Sequence, residues 1–105
     1  MAKRRMFAER TPLGHQVVLT RDRWREIVRY KHPAMKDHEA DVQDCLTDPD
    51  PVRVSEKDPD VHLYYRKGEG AFTCVVVAGP DPAARFVVTT YFTRKPKEGE
   101  DLWTK

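Results

Sequence analysis

The spacing of apolar residues changes period once along this chain, at Asp48-Pro49-Asp50-Pro51. Ahead of that break, Trp24, Ile27, Val28 and Lys31 fall at helical spacing, with Arg21, Arg23, Arg25 and Arg29 around the outside. Thr20 is suited to cap this helix, and Asp22 to the positive end of its dipole. Pro33 disfavours helical geometry at His32 and can itself begin a helix, so the pattern predicts a helix, a corner and a second helix. Met35, His38 or Glu39, Val42, Cys45 and Leu46 carry the second helix, which is apolar inside and acidic outside. Beyond the break the period becomes two. Residues 52–55, 61–66, 72–77 and 85–93 read as strands joined by short turns rich in Gly, Pro and Asp. Residues 16–19 read as one further short strand.

Helices followed by strands predict an α+β domain, with two N-terminal helices packed on one face of a four-stranded antiparallel sheet, or five-stranded if residues 16–19 join it. Residues 1–14 are basic with little periodicity and are expected as a flexible arm, 15–99 as the single domain, and 100–105 as a tail. Alternation sorts the strands into two faces. Val61, Leu63, Tyr65, Phe72, Cys74, Val76, Phe86, Val88, Thr90 and Phe92 form the more apolar set, expected under the helices. His62, Tyr64, Arg66, Thr73, Val75, Val77, Thr89, Tyr91 and Thr93 are expected on the open face, where hydroxyls, an imidazole and a guanidinium would meet.

At 105 residues the chain has enough length for one core. Its net charge of +2 conceals segregation: residues 1–36 carry ten Lys and Arg against three acids, and residues 37–60 carry two against nine. A basic front end attracts phosphate backbones, whereas the acidic middle repels them and faces away or meets something basic. No apolar run reaches membrane-spanning length and no leader pattern appears, so a cytoplasmic protein with no membrane partner is expected. Cys45 and Cys74 lie far apart inside apolar patterns and read as buried free thiols. The four histidines and two cysteines lack paired zinc spacing, Gly68-x-Gly70 is a hairpin turn rather than a phosphate loop, and neither Gly14 nor Ser55 sits in a nucleophile elbow.

Leu19-Thr20, Arg23-Trp24, Ile27, His32-Pro33, Asp48-Pro49, Tyr64-Tyr65-Arg66, Val75-Val76-Val77 and Thr89-Thr90-Tyr91-Phe92-Thr93 together resemble the phage and bacterial branch of the nuclease fold shared by barnase, EndoU, the colicin ribonucleases and the RelE toxins. The resemblance spans residues 19–99. It implies RNA cleavage without metal or other cofactor, in which a ribose 2′-hydroxyl attacks the adjacent phosphorus and leaves a cyclic phosphate. It maps catalytic roles onto His32, Arg66, Thr89 and Tyr91, with Tyr64, His62 and Thr93 beside the substrate. It also implies RNA as partner, and an antitoxin or other protein partner if the chain is a toxin.

These residue types suit that chemistry. His32 can take or give a proton near neutrality. Arg66 can hold two phosphate oxygens, Thr89 and Tyr91 can donate hydrogen bonds, and Tyr64 can stack on a base. The chain departs from the resemblance at Glu26, where related sequences often place a second histidine, which leaves Glu26, His62 or His15 as the second proton carrier. Plainer readings stand beside each role: His32 ends a helix, Arg66 solubilises an edge strand, Tyr64 and Tyr91 pair across strands, and Glu26 forms a surface ion pair. A non-catalytic protein- or RNA-binding module, or a structural protein of a mobile element, is the reading if the set scatters.

Overall fold

The computed structural model describes residues 5–105. Residues 1–4, the start of the expected arm, lie outside them. The elements run β1 (Arg5–Arg10), β2 (Gln16–Thr20), α1 (Arg21–Glu26), a π-helical turn (Ile27–Lys31), a 3-10 turn (Pro33–Met35), α2 (Glu39–Thr47), β3 (Pro51–Val54), β4 (His62–Lys67), β5 (Phe72–Ala78), β6 (Arg85–Thr93) and β7 (Asp101–Thr104).

The sheet corrects the expected architecture. Among the described residues it has seven strands in the order β1-β2-β6-β5-β4-β3-β7, and it is mixed, because β2 runs parallel to β6. Among the described residues only two short α-helices accompany it. The two extra strands come from segments expected as arm and tail. Arg5–Arg10 pairs with β2 through a reversal at Gly14, whose φ of 81° suits glycine, and Asp101–Thr104 pairs with β3. Both strands are short, charged edge strands whose pairing is set by distant partners, so local alternation did not announce them.

Thr20 caps α1, its hydroxyl accepting from Arg23 N at 3.2 Å. The next turn then widens: His32 N donates to the carbonyl of Ile27, five residues back, at 2.7 Å. Pro33 ends that hydrogen-bond series and opens the 3-10 turn. This sequence of turns carries the chain from α1 around to α2. Trp24, Ile27, Met35, Val42, Cys45 and Leu46 are pressed on the sheet and meet Val17, Leu19, Val52, Tyr64, Val75, Val77 and Val87. Each of the larger side chains contributes about 1.5–3 kcal/mol by leaving water.

The two faces of β4 and β5 are the reverse of the expected ones. His62, Tyr64, Thr73, Val75 and Val77 lie under the helices, and Leu63, Tyr65 and Cys74 form a smaller cluster on the other face, with Val61, Phe72, Val76 and Tyr91 against it. Four successive residues of β4, His62 to Tyr65, are buried. Such a strand is covered on both sides, so its alternation does not name the helix side. The second cover is the segment after β6. Lys97 N donates to the Tyr65 hydroxyl at 3.0 Å, and Arg53 donates to Lys97 O and to Asp101, each at 2.8 Å. Gly99 lets this segment approach β3, since a Cβ there would stand 2.7 Å from Val54 O. No helix among the described residues is long and apolar enough to cross a membrane.

Candidate functional site

The outer face of the sheet carries a cleft of about 570 Å³ lined by Ser55, Glu56, Lys57, Val61, Leu63, Val76, Thr89, Tyr91, Lys97 and Glu98. Its floor is strand side chain, and its rim is the turn before β4 on one side and the segment crossing from β6 to β7 on the other. Thr89 and Tyr91 reach it through an irregularity in β6: Val76 pairs with Thr89 but Val77 with Val87, so Val88 is an extra residue. The bulge puts Thr89 and Tyr91 on the outer face while Val87 and Thr90 go to the helix side, where the Thr90 hydroxyl donates to Cys74 O at 2.7 Å.

His32 joins this face from the edge. β6 pairs with β2 only at Arg85 and Phe86, so its later half has an edge free of strand partners among the described residues. The corner after the π-turn lies along that edge. His38 meets Phe92 edge-on with ring centroids 5.0 Å apart, and the half-buried His32 ring lies against Tyr91 at 5.3 Å and 33°. The imidazole and the phenol expected to act together are therefore neighbours, and Tyr91 connects His32 to the cleft.

Burial, then the neighbouring thiol of Cys74, push the Tyr91 phenol well above its ordinary range, and burial likewise pushes Tyr65 up to about 12. Tyr91 therefore keeps its proton, which suits its phenol to donating a hydrogen bond and not to acting as a base. Thr89 lines the cleft, but its hydroxyl oxygen is buried and unpaired among the described residues, so a side-chain rotation is needed to present it. Thr93 is half-buried, and its hydroxyl donates to Lys95 O at 3.2 Å, which shapes the exit from β6.

Three expected site residues are elsewhere. Arg66 points to the end of α2, donating to the carbonyl and carboxylate of Asp48 at 2.7 and 2.8 Å. That hydrogen bond, reinforced by Lys105, holds Asp48 below the usual carboxylate range. Tyr64 is fully buried, its hydroxyl donating to Thr11 at 3.0 Å. His62 is buried on the helix side, stacked on His15 at 5.7 Å, and burial followed by the Arg85 and His15 charges lowers it to about 4. Arg85, itself 5% exposed, donates there to the carbonyls of Asp60 and Val77. His15, His62 and Arg85 each keep one buried nitrogen without a partner among the described residues, in a packed setting away from the cleft. Glu26 is exposed on α1 in ion pairs with Arg23 and Lys31, both at 3.8 Å, the plain role weighed for it.

Sequence reasoning missed Lys57, Lys97, Glu56 and Glu98, which place two cations and two carboxylates on the rim. The signal available was Pro96 and Gly99 bracketing charged residues after the last long strand, a pattern for a segment held close to another backbone. Among the described residues no group of three His, Cys, Asp or Glu is placed to hold a metal ion. No family model, curated protein or solved structure matches this chain.

Proposed function

We propose that this chain is a metal-independent endoribonuclease that works on RNA laid in the outer-face cleft. The observation that carries the reading is the His32–Tyr91 contact at the end of a cleft that also holds Lys57, Lys97, Glu56 and Glu98. RNA cleavage of this type needs a group to take the proton of the ribose 2′-hydroxyl, another to protonate the departing 5′-oxygen, and fixed positive charge for the crowded phosphorus. His32 is one proton carrier, a rim carboxylate is the other, and Lys97 and Lys57 face the phosphate charge. Tyr91 donates a hydrogen bond or stacks on a base. The new bond joins the 2′-oxygen to phosphorus as the 5′-oxygen leaves, giving a cyclic phosphate and a 5′-hydroxyl. The resemblance in residues 19–99 supports the same chemistry, with Lys97 taking the phosphate role expected of Arg66. The setting that fits is the cytoplasm of a cell or phage-infected host, where a protein antitoxin covering the cleft would silence it.

The test is incubation of folded protein with a mixed RNA substrate in excess EDTA, with the 3′ ends of products examined. The expected result is fragments ending in cyclic phosphate, reduced in Lys97→Ala; intact RNA after prolonged incubation overturns the reading. A second reading has its own support. Arg66 is occupied by Asp48, and Glu56 and Glu98 share the cleft rim with the two lysines and offset their charge, which favours a non-catalytic module that holds protein or RNA on the same face. Tight RNA retention without any cleavage selects that alternative.

A further inference from the structure

A second feature lies outside the cleft and is not needed for its chemistry. Arg21, Arg25 and Arg29 recur every four residues along α1 and the π-turn, and all three are exposed. A four-residue step places successive side chains on neighbouring turns of one side, about 6 Å apart where the turn is α-helical. Of the two acids on this segment, Asp22 sits in the first turn of α1 and Glu26 pairs with Arg23 and Lys31, and none of the three arginines forms an ion pair among the described residues. Like charges at this spacing oppose helix formation, so the row is held by tertiary packing of Trp24 and Ile27 and not by its own side chains. Next to the row stands Tyr30, 75% exposed, with the Arg29 guanidinium 5.8 Å from its ring centroid.

We propose that this arginine row with Tyr30 is a docking track for single-stranded RNA, which delivers the strand to His32. Guanidiniums bind phosphate oxygens in pairs, and an exposed aromatic ring beside them offers a stacking surface for a base. The direction follows from connectivity, since Arg29 and Tyr30 belong to the turn that ends at His32 and its contact with Tyr91. A membrane surface is a poorer occupant, because the apolar side of this segment is buried in the core and leaves only the Tyr30 ring to insert. An acidic protein would satisfy the charges but gives no role to the exposed Tyr30 ring beside them. The track rests on the ribonuclease reading only for its purpose; its binding is measured separately.

The experiment uses a 2′-O-methyl oligonucleotide, which lacks the attacking hydroxyl and reports binding alone, and a dinucleotide too short to span both sites, which reports cleavage alone. The proteins are wild type, Arg21→Gln/Arg25→Gln/Arg29→Gln together, and Tyr30→Ala. Glutamine keeps helix propensity at exposed positions, and circular dichroism checks the fold. The triple variant is expected to bind the oligonucleotide at least about tenfold more weakly near 0.1 M salt, and its slope of log affinity against log salt to fall by about 2, at 0.7 per lost phosphate contact. Tyr30→Ala is expected to lose about tenfold with the slope unchanged. Dinucleotide cleavage is expected to match wild type in both. Unchanged oligonucleotide affinity and slope in the triple variant overturn the track, as does a loss confined to anionic vesicles or an acidic polypeptide. Failure of wild type to cleave the dinucleotide, with the binding losses intact, overturns the catalytic reading and leaves the track standing.

Discussion

The two faces of the sheet spend the same residue types in opposite ways. Under the helices, Tyr64, His62 and Arg85 are locked by burial and by bonds to Thr11, Asp60 and Val77, and they hold the fold. On the outer face, Tyr91 and Thr89 border a cleft, and His32 arrives from a turn to stand beside them. A tyrosine with a buried hydroxyl partner is structure, and a tyrosine between an imidazole and a cleft is available for chemistry. Residue identity alone does not separate these roles; the cover over each face does.

The difference is broken most severely at Tyr64. Tyr64→Ala removes a fully buried ring and should cost about 3–5 kcal/mol in urea denaturation, whereas Tyr91→Ala, at a partly exposed position, should cost less than half as much. Equal losses would mean that the faces are not distinct. Acid is the next lever. His62 titrates near 4 when folded and near 6.5 when unfolded, so the unfolded chain binds more protons between those values. Stability from this site is therefore complete above about pH 6.5 and is lost as pH falls toward 4, and His15, lowered by burial and by Arg85, acts in the same direction. Denaturation midpoints of His62→Leu should fall less steeply than wild type across that window; parallel curves would remove His62 from the account. Tyr64→Phe sharpens the comparison with the smallest change. It leaves Thr11 without its donor and should cost about 1 kcal/mol while RNA cleavage stays at the wild-type level. Tyr91→Phe should do the reverse, with stability kept and cleavage reduced.

Much of the fold was legible where local chemistry decides it. The Thr20 cap, the corner at His32-Pro33, the Asp48-Pro49 stop and the strands β3 to β6 follow from caps, prolines and alternation, and the structure places them within a few residues of expectation. What could not be read was set by cover and by distant partners. β4 and β5 are apolar on both faces, so the helix side was assigned to Leu63, Tyr65 and Cys74 when it belongs to Tyr64, Val75 and Val77. That inversion removed His62, Tyr64 and Arg66 from the site. Alternation put Thr89, Tyr91 and Thr93 on the open face, and the register of β6 after the extra residue Val88 keeps Thr89 and Tyr91 there, bordering the cleft. Nothing in residues 27–31 announced a π-turn, which brings His32 to Tyr91 instead of leaving it at the end of a regular helix. β1 and β7 owe their strand geometry to β2 and β3, not to their own sequence.

The central claim is that proton transfer to and from RNA belongs to the outer face and not to the helix-covered one. The most direct measurement is the rate of RNA cleavage in excess EDTA by wild type, His32→Ala and Arg66→Gln, assayed together at equal folded concentration. The account predicts a loss of about 10²–10⁴-fold in His32→Ala and a rate close to wild type in Arg66→Gln, whose guanidinium serves Asp48. Full activity in His32→Ala with a collapse in Arg66→Gln would contradict it.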